Sequence, residues 1–293
     1  MRKALKGQRT LLLMIVPVMV LFAIFCYVPM AGIVIAFRKM DFSSGLFGSE
    51  WVGLRYFVQF FQDPYFVRLL RNTVVLNLYM MLFTFPLPIV FALLVNEIAH
   101  KKFKRVVQSI SYLPHFISTV VIVGIMVEMF SSQGVINQVL PGDPILFFNE
   151  ASWFRALYVG SSVWEGLGWS SIIYLSALAG INMELYEAAE MDGANRWQRM
   201  RHVTLPGIMP TIIILFILQI GSMMNVGFEK VFLMYNPGTY ETADVISTYV
   251  YRRGILGMDY SYAAAVNLFN SAVNLCLLLA VNRAARKTGQ GLW

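Results

Sequence analysis

Two groups of residues in this chain have the types and spacing to do chemistry. The first is Glu187-Ala188-Ala189, followed by Asp192-Gly193-Ala194 and, further on, by Leu205-Pro206 and Pro210. Acids and small side chains on one short helix can meet basic groups while letting another backbone come close, which is docking chemistry. The second group lies inside long uncharged runs: Trp164, Glu165 and Trp169, then Gln219, Ser222 and Asn225, then Asn267, Asn270 and Asn274. Amides, hydroxyls and a carboxylate supply hydrogen bonds, and indole rings supply flat apolar faces. Such groups are costly against lipid, so they face a cavity or another helix. Spacings of three and four put Ser222 and Asn225 on one helical face, and likewise Asn267, Asn270 and Asn274. The competing role for the three asparagines is interhelical glue. Glu165 is the one acid well inside an apolar run; it could bind a hydroxyl, pair with a basic residue of a companion chain, or sit hydrated near the outer interface.

The elements that position these groups follow from composition. Of 293 residues 58% are apolar and only 13% charged, about half the charged fraction of a soluble domain. Disorder, a collagen-like repeat and a nucleic-acid module are excluded, and the chain reads as an integral membrane protein in contact with lipid. Crossing a bilayer takes about 20 apolar residues. Six segments approach or exceed that: Leu11 to Phe37, Asn72 to Asn96, Val106 to Val127, Ala156 to Ile181, Val203 to Phe228 and Tyr262 to Asn282. The first follows Arg2, Lys3, Lys6 and Arg9 as a secretory signal would, but its uncharged stretch is too long and it is expected to stay attached.

Charge reports topology. The N-terminus, the Glu97 to Arg105 loop, the Asn182 to His202 loop and the C-terminal tail together hold 14 of the 23 Lys and Arg. The positive-inside rule puts these four segments in the cytoplasm and the three longer loops outside. In one outer loop, Tyr56 to Asn72, apolar residues recur at near-helical spacing around a break at Asp63-Pro64; it is either an amphipathic helix on the membrane surface or an elbow packed on the protein. Cys26 and Cys276 are expected as buried small hydrophobes, and His115 beside Pro114 as a packing residue. Prolines at 17, 29, 86, 88, 114, 206 and 210 predict kinks, which favour a mobile bundle over a rigid anchor.

The Asn182 to Pro206 loop is predicted as a helix, a glycine stop and a second helix. Asn182 caps the first helix, Met183 to Asp192, Glu184 suits its positive end, and Gly193 supplies a left-handed exit. Asn195 caps the next helix, and Pro206 marks the junction with the fifth span.

The run Glu187-Ala188-Ala189-x-x-Asp192-Gly193-Ala194, with Leu205-Pro206 and Pro210 behind it, resembles the EAA loop of permease subunits of binding-protein-dependent ABC importers. Asn72-Thr73 opening the second span and Asp244 to Tyr251 before the sixth extend the resemblance, particularly to permeases for oligosaccharides and polysaccharide fragments. It implies an all-α, polytopic protein with six transmembrane helices in the type I ABC importer permease fold. Residues 1–293 form one permease domain, with 1–71 an N-terminal span and outer segment and 72–282 a core carrying the coupling loop 182–206. The implied partners are a second homologous permease, two cytoplasmic ATPases and an extracellular solute-binding protein, with a carbohydrate as cargo. The implied setting is the bacterial cell membrane. Glu187, Ala188, Ala189, Asp192, Gly193, Ala194, Leu205 and Pro206 would seat in the ATPase. No cofactor is expected in this subunit, since ATP and Mg would sit on the partner ATPase and no GxxxxGK[ST] loop is present. By the spacing of maltose-type permeases, Trp169, Ser222 and Asn225 would face the sugar cavity, with Trp164 and Glu165 nearby. The competing functions are an importer of the same architecture for a non-sugar solute, a membrane-embedded enzyme using Glu165 and His115, and an ion-coupled secondary transporter. The enzyme lacks a paired carboxylate, nucleophile triad or metal spacing, and the secondary transporter lacks detectable repeats.

Overall fold

In hydrocarbon each segment must satisfy its own backbone N–H and C=O groups, so the apolar runs of this chain fold as helices. The computed structural model describes residues 9–41 and 45–286 and is mainly helical, with one two-stranded ribbon pairing Arg38 with Trp51 and Lys39 with Glu50. Arg2, Lys3, Lys6 and Lys287, part of the positive-inside argument, lie outside the described residues.

The principal helices, in chain order, are α1 (Arg9–Phe22), α2 (Arg55–Phe61), α3 (Phe66–Thr84), α4 (Pro86–Asn96), α5 (Lys101–Tyr112), α6 (Thr119–Met129) and α7 (Ala151–Ala179). They continue with α8 (Met183–Met191), α9 (Arg196–Arg199), α10 (Leu205–Gly221), α11 (Phe228–Met234), α12 (Ile246–Val250) and α13 (Tyr260–Arg286). Four stretches among the described residues are long and apolar enough to cross a membrane: Leu13–Phe37, Phe66–Asn96, Arg196–Gly221 and Tyr260–Arg286. A fifth is a pair, Lys101–Phe116 and Thr119–Met129, bent by 98°. Helix α7 is long enough, at 29 residues, but Glu165 and its serines and glycines make it more polar than the others.

The structure departs from the sequence expectations at three places. The third segment is not one helix: Pro114 sits in a tight turn, Ile117 is extended, and Ser118 starts α6 by accepting a hydrogen bond from the Val121 N–H. The fifth span begins earlier than expected and stops at Gly221, so residues 222–227 are not helical. Cys26 and Cys276 are exposed rather than buried, which on apolar helices means facing outward from the protein.

By contact the chain divides into two compact units, Met1–Phe66 with Tyr249–Phe269, and Val67–Thr248 with Asn270–Trp293. In the second, α7 is the central post, packed against α4, α5 and α10. Gly168 makes one of these approaches possible, since a Cβ there would lie 2.2 Å from the Ser111 carbonyl oxygen. Two apolar clusters hold this unit, one around Leu76, Ile122, Phe154, Tyr158 and Val231 and one around Ile89, Ala92, Tyr174 and Ile208. In the first unit, Phe60 is buried and meets Phe66, Tyr262 and Phe269 edge-on. This makes the start of the Tyr56 to Asn72 segment an elbow packed on the protein, while its second half opens the long helix α3.

Candidate functional site

The loop after α7 folds as its residues dictate. The Asn182 side chain accepts from the Glu184 N–H at 3.0 Å, capping α8. Gly193 has φ +76° and leaves α8 in the left-handed region, where a side chain would be strained although nothing crowds the position. Asn195 and Gln198 form a reciprocal capping box that starts α9. Helix α9 passes through a π turn, Met200–Thr204, into α10, with Pro206 in its first turn.

Two contacts fix α8 against α9 and the π turn: Arg199 with Glu190 at 3.1 Å, and the Tyr186 hydroxyl donating to Thr204 Oγ1 at 3.0 Å. Glu187, Ala188, Asp192 and Gly193 stay exposed, Ala189 and Ala194 are half-buried, and Met183, Leu185, Met191 and Trp197 are exposed around them. Glu187 makes no ion pair among the described residues, so its charge is available to another chain. Leu205 is half-buried and Pro206 exposed, at the root of α10. The arrangement is a projecting knob with an acidic, small-residue face and an apolar rim.

The polar residues of the spans do not converge on one place. Trp169 borders a cavity of about 440 Å³ together with Thr84, Phe85, Tyr174, Leu215 and Gln219. His115 stacks on Trp169 with ring centroids 4.4 Å apart, so it packs as expected, against a cavity residue. Gln219 closes on Thr84 Oγ1 at 3.4 Å. Trp164, Glu165, Ser222 and Asn225 are not in that cavity wall. Trp164 is half-exposed.

Ser222 and Asn225 share no helical face, because the helix has ended. Ser222 terminates α10 and donates to the Gln219 carbonyl at 2.9 Å. The next turn is tied down by α13: Asn270 donates to Asn225 Oδ1 at 3.2 Å, and Asn274 accepts from the buried Met224 N–H at 2.8 Å. These two asparagines are glue, for a broken helix rather than between two intact ones.

Glu165 has a partner within this chain that sequence reasoning missed. Lys230 Nζ lies 2.9 Å from Glu165 Oε2 and 3.0 Å from Ser162 Oγ, with the lysine side chain 8% exposed and the glutamate 24%. Nearer the start of the same unit, Asn72 donates to the Glu241 and Asp244 carbonyls and Thr73 Oγ1 accepts from the Ile246 N–H. The Asn72-Thr73 pair thereby holds the stretch from Glu241 to Ile246. Among the described residues no cluster of His, Cys, Asp and Glu could hold a metal ion.

Comparison with known proteins points the same way. Residues 84–290 match the family described as the binding-protein-dependent transport system inner membrane component. Protein LplB of Bacillus subtilis (strain 168) is 46% identical over 291 residues, covering 98% of this chain and 92% of that protein. The polygalacturonan/rhamnogalacturonan transport system permease protein YteP of the same bacterium is 44% identical over 287 residues, covering 97% and 89%. The crystal structure of a bacterial ABC transporter involved in the import of the acidic polysaccharide alginate matches with TM-score 0.90 and 42% identity, over 97% of this chain and 98% of that one. The bacterial alginate ABC transporter in complex with alginate pentasaccharide-bound periplasmic protein matches with TM-score 0.91 and 41% identity, over 99% and 98%.

Proposed function

This chain belongs to the binding-protein-dependent transport system inner membrane component family, and from that premise we propose that it carries an oligosaccharide or polysaccharide fragment across a bacterial cell membrane. It is the membrane-embedded transport subunit of an ABC importer and not an enzyme. Its proposed partners are a second, similar permease, two cytoplasmic ATPases that bind ATP and Mg, and an extracellular binding protein that delivers the sugar. Both termini and the α8 loop lie in the cytoplasm, and the chain crosses six times, counting α7 and the bent pair α5 and α6.

The observation that supports coupling through α8 is its pose. Capped by Asn182, stopped by Gly193 and held by Glu190 and Tyr186, it projects Glu187 and Ala188 outward. A docked ATPase that closes on this knob pulls directly on α10, because α9 and the π turn run into it without a flexible joint. Motion of α10 reaches the cavity through Leu215 and Gln219, opposite Trp169. Aromatic rings and amides are the groups that hold sugars, through C–H faces and hydroxyls.

The test is purification of the tagged chain from its own host in mild detergent, with the companions identified by mass spectrometry. An ATPase and a second permease are expected. A chain that purifies alone and catalyses ion-driven flux would overturn the reading.

A further inference from the structure

Helix α2 has two unlike faces. Phe57 and Phe60 turn into the aromatic packing of the first unit, against Phe37, Phe66, Tyr262 and Phe269. Arg55, Val58 and Gln59 lie on the other face, and Gln62 extends it by a further turn; all four are exposed. With Asp63, Pro64 and Arg253 they line a cavity of about 630 Å³, inside the roughly 300–1,000 Å³ range of small-molecule sites.

The charges in this wall are not equivalent. Asp63 is fully occupied: Oδ2 accepts from the Tyr249 hydroxyl, from the Tyr262 hydroxyl at 3.1 Å and from Arg253 Nη1 at 2.8 Å, and Oδ1 accepts from the Tyr65 N–H at 2.9 Å. Burial works to raise its pKa, but these donors and the Arg253 charge outweigh it and hold the carboxyl below the ordinary 3.8. Arg253 is spent on Asp63, has Asp259 at 3.6 Å, and lies 3.7 Å from the centre of the Tyr262 ring. The Arg55 guanidinium has no hydrogen bond or ion pair among the described residues; it is the backbone N–H of Arg55 that is engaged, with the Val52 carbonyl. The cavity therefore carries one uncommitted guanidinium, flanked by the Gln59 and Gln62 amides and by the apolar Val58 and Pro64.

We propose that this cavity binds a uronate unit of an acidic oligosaccharide on the outer side of the membrane, with Arg55 taking the carboxylate and Gln59 and Gln62 the hydroxyls. A guanidinium matches a carboxylate in a two-bond fork. The concave shape and amide lining fit a small polyhydroxylated anion better than an acidic protein surface, which needs no cavity. The proposal rests on the oligosaccharide-import reading and narrows its cargo to acidic sugars.

The assembled importer in lipid nanodiscs, without its binding protein, is titrated with trigalacturonate and with neutral maltotriose, and saturation-transfer NMR reads the contact. Wild type should prefer trigalacturonate. Arg55→Gln should weaken that binding about tenfold, as expected for one charge-assisted contact, with Arg55→Lys in between. Equal trigalacturonate binding in Arg55→Gln, or equal binding of the two sugars in wild type, would overturn the proposal. So would a loss of binding-protein association in Arg55→Gln with sugar binding intact, which would assign Arg55 to a protein contact. ATP hydrolysis with the loaded binding protein is read in parallel. Stimulation by an oligosaccharide together with unchanged binding in Arg55→Gln defeats this site alone, whereas no stimulation by any oligosaccharide defeats the import reading beneath it.

Discussion

A carboxylate inside a span persists only if something neutralises or hydrates it, and Glu165 has Lys230 for that purpose. Removing one member of a buried pair typically costs about 3–5 kcal/mol, because the other is left uncompensated; the partial exposure of Glu165 places this pair toward the lower end. Lys230→Met is expected to lower the unfolding midpoint in detergent clearly, and Glu165→Gln on top of it to restore part of the loss. Strictly additive midpoints would refute the pairing. Glu165 was legible as a suspect from sequence because it is an acid in an apolar run. Its partner was not, because Lys230 comes 65 residues later, in a segment that reads as an outer loop, and no periodicity links the two. Trp169 and His115 show the same limit: each was visible as a ring in a span, but their stacking depends on where the bend after Pro114 points.

Short helices were legible in detail where polar residues punctuate them. Asn182, Gly193 and Asn195 each do what their side chains or lack of one predict, so α8 has definite ends. Gly193→Val forces a β-branched residue into the left-handed region, at a cost of about 1–2 kcal/mol, and tilts α8 away from its line into α10. The expected result is a normal amount of protein in the membrane with uptake and ATPase association lost, measured by immunoblot, transport and co-purification; unchanged uptake would remove α8 from the coupling path. Apolar helices were less legible. The stop at Gly221 and the 98° bend between α5 and α6 each fall inside a segment that reads in sequence as one continuous span. What decides them is local backbone chemistry and distant partners, such as Asn270 and Asn274 holding the turn after α10.

At the scale of the molecule, composition was enough to establish a helical membrane protein. The stretch Leu13–Phe37 has no buried residue in its most apolar window, and an apolar surface of that kind is at home only against lipid or another membrane chain. The distribution of charge adds direction. Basic residues crowd the segments assigned to the cytoplasm, and four of the five acids there fall between Glu184 and Asp192. That acidic knob is the proposed point where ATP hydrolysis acts on the membrane domain. The most direct test is uptake of a labelled oligosaccharide by proteoliposomes holding this chain with its partner permease and ATPases. The account predicts that uptake requires ATP and the loaded binding protein, and that Gly193→Val abolishes it without dissolving the permease pair. Uptake by this chain alone, without ATP and driven by an ion gradient, would contradict it.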